Sequence, residues 1–198
     1  MDNMVAEAKE KKAKMKESLK MAVEGEEKPV QTYTRENVKG IDEAQYKGDK
    51  NKTNIIKRVK KIISAVDKLV KASTEEELSV NLHDSEKTYE DAVIDAGGTK
   101  QEARSKGFYM SDNGSIHINM NRAIPETMYH EPFHAILDYL QKKNESIIDE
   151  FHAQLSKLKG GDEIIKRAER IYKGDSPITI KKEAITDFVA KVADGSFK

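Results

Sequence analysis

Residues 130–134 read His130-Glu131-Pro132-Phe133-His134, two histidines four positions apart with a glutamate after the first. On a helix, positions i and i+4 share a face, so both imidazoles can point at one ion while Glu131 leans toward a water beside it. Neutral imidazole suits Zn²⁺, the ion polarises a carbonyl and acidifies water, and the carboxylate moves the proton from that water to a leaving amine. The pattern points to zinc-dependent hydrolysis, with His130 and His134 as candidate ligands of one Zn²⁺ per chain and Glu131 as candidate catalytic base. Two histidines on a half-buried helix face, satisfied by backbone carbonyls, would produce the same letters. Pro132 stands inside the motif and removes the N–H that would bond the Met128 carbonyl, at a cost of about 3 kcal/mol in a regular helix interior. That cost falls if the helix starts near Tyr129.

Downstream, Lys182 to Asp187 reads KEAITD within a run whose apolar members Ile180, Ala184, Ile185, Phe188, Val189 and Val192 recur at helical spacing. Glu183 and Asp187 are four apart and share a face, as a solvated charged pair on any helix would. The segment resembles the EAxxD signature of the gluzincin metallopeptidases, as in thermolysin-like enzymes. The resemblance implies that Glu183 is the third zinc ligand and that Asp187 orients a zinc-bound histidine. It also implies a Tyr or His that stabilises the oxyanion, for which Tyr172 is the first candidate and Tyr129 and His117 the next. The interval from His134 to Glu183, 49 residues, is longer than in thermolysin-like enzymes and closer to lethal-factor-like gluzincins. It reads as folded: Ile147, Ile148, Phe151, Leu155 and Leu158 form one helical stripe closed by Gly160 and Gly161. Ile164, Ile165, Ala168, Ile171 and Tyr172 form another, closed by Gly174 and Pro177.

Upstream, Gly97 and Gly98 precede GFYMSDNGSIHINMN (107–121), in which Asp112, Asn113 and Gly114 are hairpin residues between two alternating runs. With the metal helix after it, this stretch is similar to the peptidase-like domains of the large polyvalent proteins of tailed phages and related mobile elements. In zincins the strand before the metal helix binds an extended peptide by sheet-edge addition, which implies a substrate-binding role for Ile116, His117 and Ile118. Further back, Ile55, Ile56, Val59, Ile62, Ile63, Val66, Leu69 and Val70 step by threes and fours as an amphipathic helix. Leu78, Val80 and Leu82 alternate as a strand, and Tyr89, Ala92, Val93 and Ile94 belong to a helix that ends at Gly97. This order predicts an α+β fold, mostly helical and zincin-like without the usual C-terminal lobe, with a small mixed sheet packed on one side by helices. His83 reads as a loop residue at a strand end and His152 as a helix-surface residue, neither as a ligand.

The chain has 198 residues, with 35 basic against 35 acidic side chains and 37% hydrophobic residues. A neutral total gives no reason to expect nucleic acid, and the Lys and Arg of the 53–70 helix read as a solvated face. The hydrophobic deficit lies in the first fifty residues, so 1–52 is read as a charged helix and linker and 53–198 as the metallopeptidase domain. No apolar signal or membrane-spanning run is present, and the absence of cysteine excludes disulfides and thiolate ligands. The expected setting is cytoplasmic or virion-packaged and the expected partner a peptide or protein substrate; the sequence leaves the oligomeric state open. Two function classes remain: an active zinc endopeptidase of phage or mobile-element association, or a zincin-shaped virion or interaction module that has lost catalysis.

Overall fold

The computed structural model describes residues 30–34, 37–71 and 78–197. Four strands and six α-helices follow one another in these stretches: β1 (Gln31–Tyr33), α1 (Lys50–Lys71), β2 (Ser79–His83), α2 (Glu86–Asp95), β3 (Gly107–Met110), β4 (Ser115–Asn119), α3 (Thr127–Lys143), α4 (Ile147–Leu155), α5 (Gly161–Ile171) and α6 (Pro177–Asp194). The fold is mixed α and β with a small four-stranded sheet. Among the described residues, no helix is long and apolar enough to cross a membrane.

The strands stand in the order β1-β2-β4-β3, with β2 and β4 parallel and the two outer strands antiparallel to their neighbours. A parallel pair needs a crossover, and here the connection from β2 to β4 contains α2 and β3. Alternation sorts the side chains by face. Val80, Leu82, Ile116 and Ile118 form the main core with Ile55, Ile56, Val59 and Ile63 of α1 and Met128 and Ala135 of α3. On the other face, Phe108 packs with Tyr89 and Val93 of α2. Helices therefore cover both faces of the sheet, where the sequence suggested one. The side chains of Leu69 and Val70 lie outside the described residues.

Two expectations are corrected by the structure, one a boundary and one a strand. The described part of the 1–52 segment, read as helix and linker, is folded: Gln31 to Tyr33 pair with Leu82 to Val80, and Val38, Ile41 and Tyr46 are in the main core. The domain therefore reaches back at least to β1, and a boundary at 53 falls inside it. Residues 1–29, including the first charged stretch, lie outside the described residues. The second correction concerns Ile116, His117 and Ile118. Their strand β4 is hydrogen-bonded on both sides, to β2 and to β3, and both isoleucines are fully buried beneath α1 and α3. A peptide cannot add to an edge that is already paired. The outer strand on this side of the sheet is β3.

The last four helices pack on one another and set the geometry that follows. Leu137 of α3, Ile148 of α4 and Ile185 of α6 share one cluster, and Leu155, Ile164, Ile165, Ala168 and Ala184 share a second. Ser176 caps α6 by accepting from the Thr179 N–H, Pro177 occupies its first turn, and Gly195, at φ 81°, ends it. Those signals fix the start and end of α6 and hence the turn that faces α3.

Candidate metal site

Helix α3 begins at Thr127, so Pro132 lies in its interior and its ring is buried. Replacing it with alanine removes a helix penalty of about 3 kcal/mol and about 1.6 kcal/mol of buried methylene contact. Pro132→Ala is therefore expected to stabilise the metal-free protein by about 1 kcal/mol, read from thermal melting. A lower melting temperature would mean that the ring packing outweighs the helix cost.

One turn apart on α3, His130 Nε2 and His134 Nε2 are 3.2 Å from each other. Glu183 of α6 faces both, with Oε2 3.2 Å from His130 Nε2 and Oε1 3.4 Å from His134 Nε2. These three residues form a group whose donor atoms could hold a metal ion. All three side chains are mostly buried. Glu183 Oε2 is buried with no hydrogen-bond partner among the described residues. The charge of His130 at 3.2 Å compensates that oxygen without a hydrogen bond, and a cation between the three donors would coordinate it directly.

A second ring of contacts surrounds the group. Asp187 Oδ1 lies 3.3 Å from His130 Nδ1, and the other carboxylate oxygen accepts from Arg167 Nη1 at 2.6 Å. Lys182 binds Asp138 at 2.7 Å alongside. Tyr172, the residue that ends α5, lines recesses of about 240 and 450 Å³ that open on the group and that it shares with His130 and Glu131. Tyr129 and His117 do not join it. Tyr129 accepts from Arg58 Nε of α1 at 3.2 Å, and His117 stacks on Phe108 across the sheet, its Nδ1 3.0 Å from His83 Nε2. His83 is itself buried at the end of β2 rather than exposed in a loop.

Glu131 is 7% exposed and faces the same two recesses. Gly107, at the start of β3, makes this placement possible. A Cβ there would stand 2.9 Å from the His117 carbonyl oxygen and 3.0 Å from Glu131 Cγ, closer than packed atoms tolerate. Gly107→Ala is expected to cost about 1–3 kcal/mol of stability by overpacking and to displace the Glu131 carboxyl, which chemical denaturation and a crystal structure of the variant would measure. Unchanged stability would show that β3 shifts freely.

The charges are strongly coupled. Burial alone would lower the pKa of His130, but Asp187 and Glu183 beside it outweigh that and raise it from 6.5 to about 10. Burial lowers His134 to about 4. Burial raises Glu131 from 4.5 to about 7, with Glu183 and Asp187 adding to the rise and His130 opposing it. Burial and then Glu183 push the Tyr172 phenol well above its usual range. Glu183 and Asp187 stay below the usual carboxylate range because His130 outweighs their burial.

A metal must displace the His130 proton, so binding is expected to release about one proton at pH 7 and to weaken roughly tenfold per unit as pH falls from 8 to 6. Calorimetry in buffers of different ionisation enthalpy reads both, and proton-neutral binding would contradict the charge state. The sign for folding follows from the raised pKa: the proton on His130 stabilises the metal-free fold fully below about pH 6.5, and that contribution is lost as pH rises through about 10.

The structure thus brings together His130, Glu131, His134, Tyr172, Glu183 and Asp187, leaves Ile116 to Ile118 in the sheet interior, and adds Arg167 and Gly107. Compared with protein-family models, curated proteins and solved structures, the chain matches none.

Proposed function

We propose that this protein is a zinc-dependent endopeptidase of zincin-like fold. The observation that carries the reading is the convergence of two imidazoles and one carboxylate from α3 and α6, with a buried glutamate one residue from the first imidazole. Tetrahedral Zn²⁺ with ligands at about 2.0–2.1 Å requires ligand atoms about 3.3–3.4 Å apart; the two imidazole nitrogens are 3.2 Å apart, and the Glu183 carboxylate reaches them with different oxygens, Oε2 at 3.2 Å from His130 and Oε1 at 3.4 Å from His134. Nitrogen and carboxylate donors without sulfur suit zinc, and three protein donors leave a position for chemistry.

His130, His134 and Glu183 would hold the ion, which when bound polarises the scissile carbonyl and acidifies water. Glu131, whose carboxyl titrates near pH 7, takes a proton from the attacking water and returns it to the leaving amine. The Tyr172 phenol, held protonated, donates to the oxyanion that develops at the carbonyl oxygen when water adds to the carbon. The larger recess runs along Gly107, Phe108 and Tyr109 of β3 beside His130 and His134. An extended peptide laid against this outer strand would pass directly over the ligand group.

The test is metal analysis of the purified chain together with cleavage of a fluorescently labelled unfolded protein. One zinc per chain is expected, with cleavage lost on chelation and restored by zinc. Failure to bind zinc would sink the proposal, and zinc without cleavage would favour a non-catalytic module.

A further inference from the structure

The segment between His134 and Glu183 contains α4 and α5 and lengthens the interval between the two halves of the ligand set. It also delivers Arg167. Ile164, Ile165 and Ala168 seat α5 on Ala184 of α6, and from that position Arg167 Nη1 donates to Asp187 Oδ2 at 2.6 Å. The other Asp187 oxygen is the one 3.3 Å from His130 Nδ1. The Asp187 side chain is 13% exposed and the Arg167 side chain 47%, so the guanidinium closes the pair from the solvent side.

A carboxylate turns readily about its Cβ–Cγ bond, because that torsion has broad, roughly two-fold wells. Lys191, one turn along α6 from Asp187 and 3.9 Å from Glu126, lines the same recess and offers a competing cation. Resting on the metal reading above, we propose that Arg167 is a positioning residue for the metal group. It holds the outer oxygen of Asp187 so that the inner one stays on His130 Nδ1, which keeps His130 Nε2 directed at His134 and Glu183. The planar guanidinium sets direction as well as charge, which an ammonium does not. Arg167 is half exposed while Asp187 is mostly buried, so the pair's effect on folding is read separately by melting and its effect on the aim of the imidazole by zinc affinity.

Zinc competition against a chromophoric chelator tests this on the full chain and on Arg167→Ala, Arg167→Lys, Asp187→Asn and the double variant Arg167→Ala/Asp187→Asn. Arg167→Ala is expected to weaken zinc binding about tenfold, the scale of losing a partner behind a metal ligand, and Arg167→Lys to recover part of the loss. In the Asp187→Asn background, Arg167→Ala should add nothing, because it acts through that carboxylate. Nitrogen-15 spectra of the zinc-loaded forms should show the His130 Nδ1 proton exchanging faster in Arg167→Ala, a signature that loss of helix packing alone would not produce. Where Arg167→Ala melts below the assay temperature, Arg167→Gln carries the same comparison. Zinc uptake by the wild type with equal affinity in the Arg167 variants overturns the inference alone, as does an equal penalty in both Asp187 backgrounds. A wild-type chain that takes up no zinc overturns the metal reading and this inference with it.

Discussion

Glu131→Gln is expected to bind zinc as the wild type does and to hydrolyse peptide about 10²- to 10⁴-fold more slowly. The residue is not one of the three converging donors, so its loss leaves the ligand set complete. The amide has nearly the same shape and fills the same space against Gly107, but it cannot accept the proton of the attacking water. A separate signature is available without any substrate. The Glu131 pKa is raised to about 7, so the folded state favours the protonated carboxyl; its stabilising effect is full below about pH 4.5 and is lost as pH rises through about 7. Glutamine does not titrate. The metal-free variant should therefore gain stability over the wild type on going from pH 5 to pH 8, read from denaturation at the two values. Cleavage by the variant at the wild-type rate would refute the assignment of the base.

His134→Ala should reduce zinc occupancy from one per chain to nearly none at micromolar metal. Structural zinc sites are worth about 10–16 kcal/mol over four ligands, or roughly 3 per ligand, which corresponds to about a hundredfold to thousandfold weaker binding. Asp187→Asn, which leaves all three donors in place, should cost about tenfold to a hundredfold. Asp194 is exposed at the end of α6, where it accepts from the Ser196 N–H, and Asp194→Asn should change nothing. That ordering separates ligand, support and bystander on one scale. Equal zinc content in His134→Ala and the wild type would remove His134 from the ligand set.

The parts of the molecule legible in the sequence are those governed by short-range periodicity. His130 and His134, and Glu183 and Asp187, are each one helical turn apart, so their shared faces follow from spacing alone. The α1 stripe and the Asp112 to Gly114 hairpin are local in the same sense. What could not be read depends on distant pairing. β1 is three residues long, with Gln31 and Thr32 giving no apolar signal, and its partner strand lies about fifty residues further on. The alternation of Ser115 to Met120 is the same for a central strand as for an outer one, and only pairing with both β2 and β3 decides which it is. Arg167 is one of several cations on a charged helix; its partner Asp187 is 20 residues away. Gly107 begins a strand like many glycines, and the Glu131 side chain that requires it arrives from another element.

The separation of the ligands along the chain bears on how the molecule is made. His130 and His134 leave the ribosome 49 or more residues before Glu183, a delay of about 2–10 seconds at 5–20 residues per second. During that time a nascent chain holds two of the three donors, without Asp187 behind the first. Arg167 and Tyr172 precede α6, so the surroundings of the site are synthesised before the residue that completes it. If the site carries the proposed hydrolysis, this order keeps it incomplete while its own unfinished chain is the nearest unfolded polypeptide.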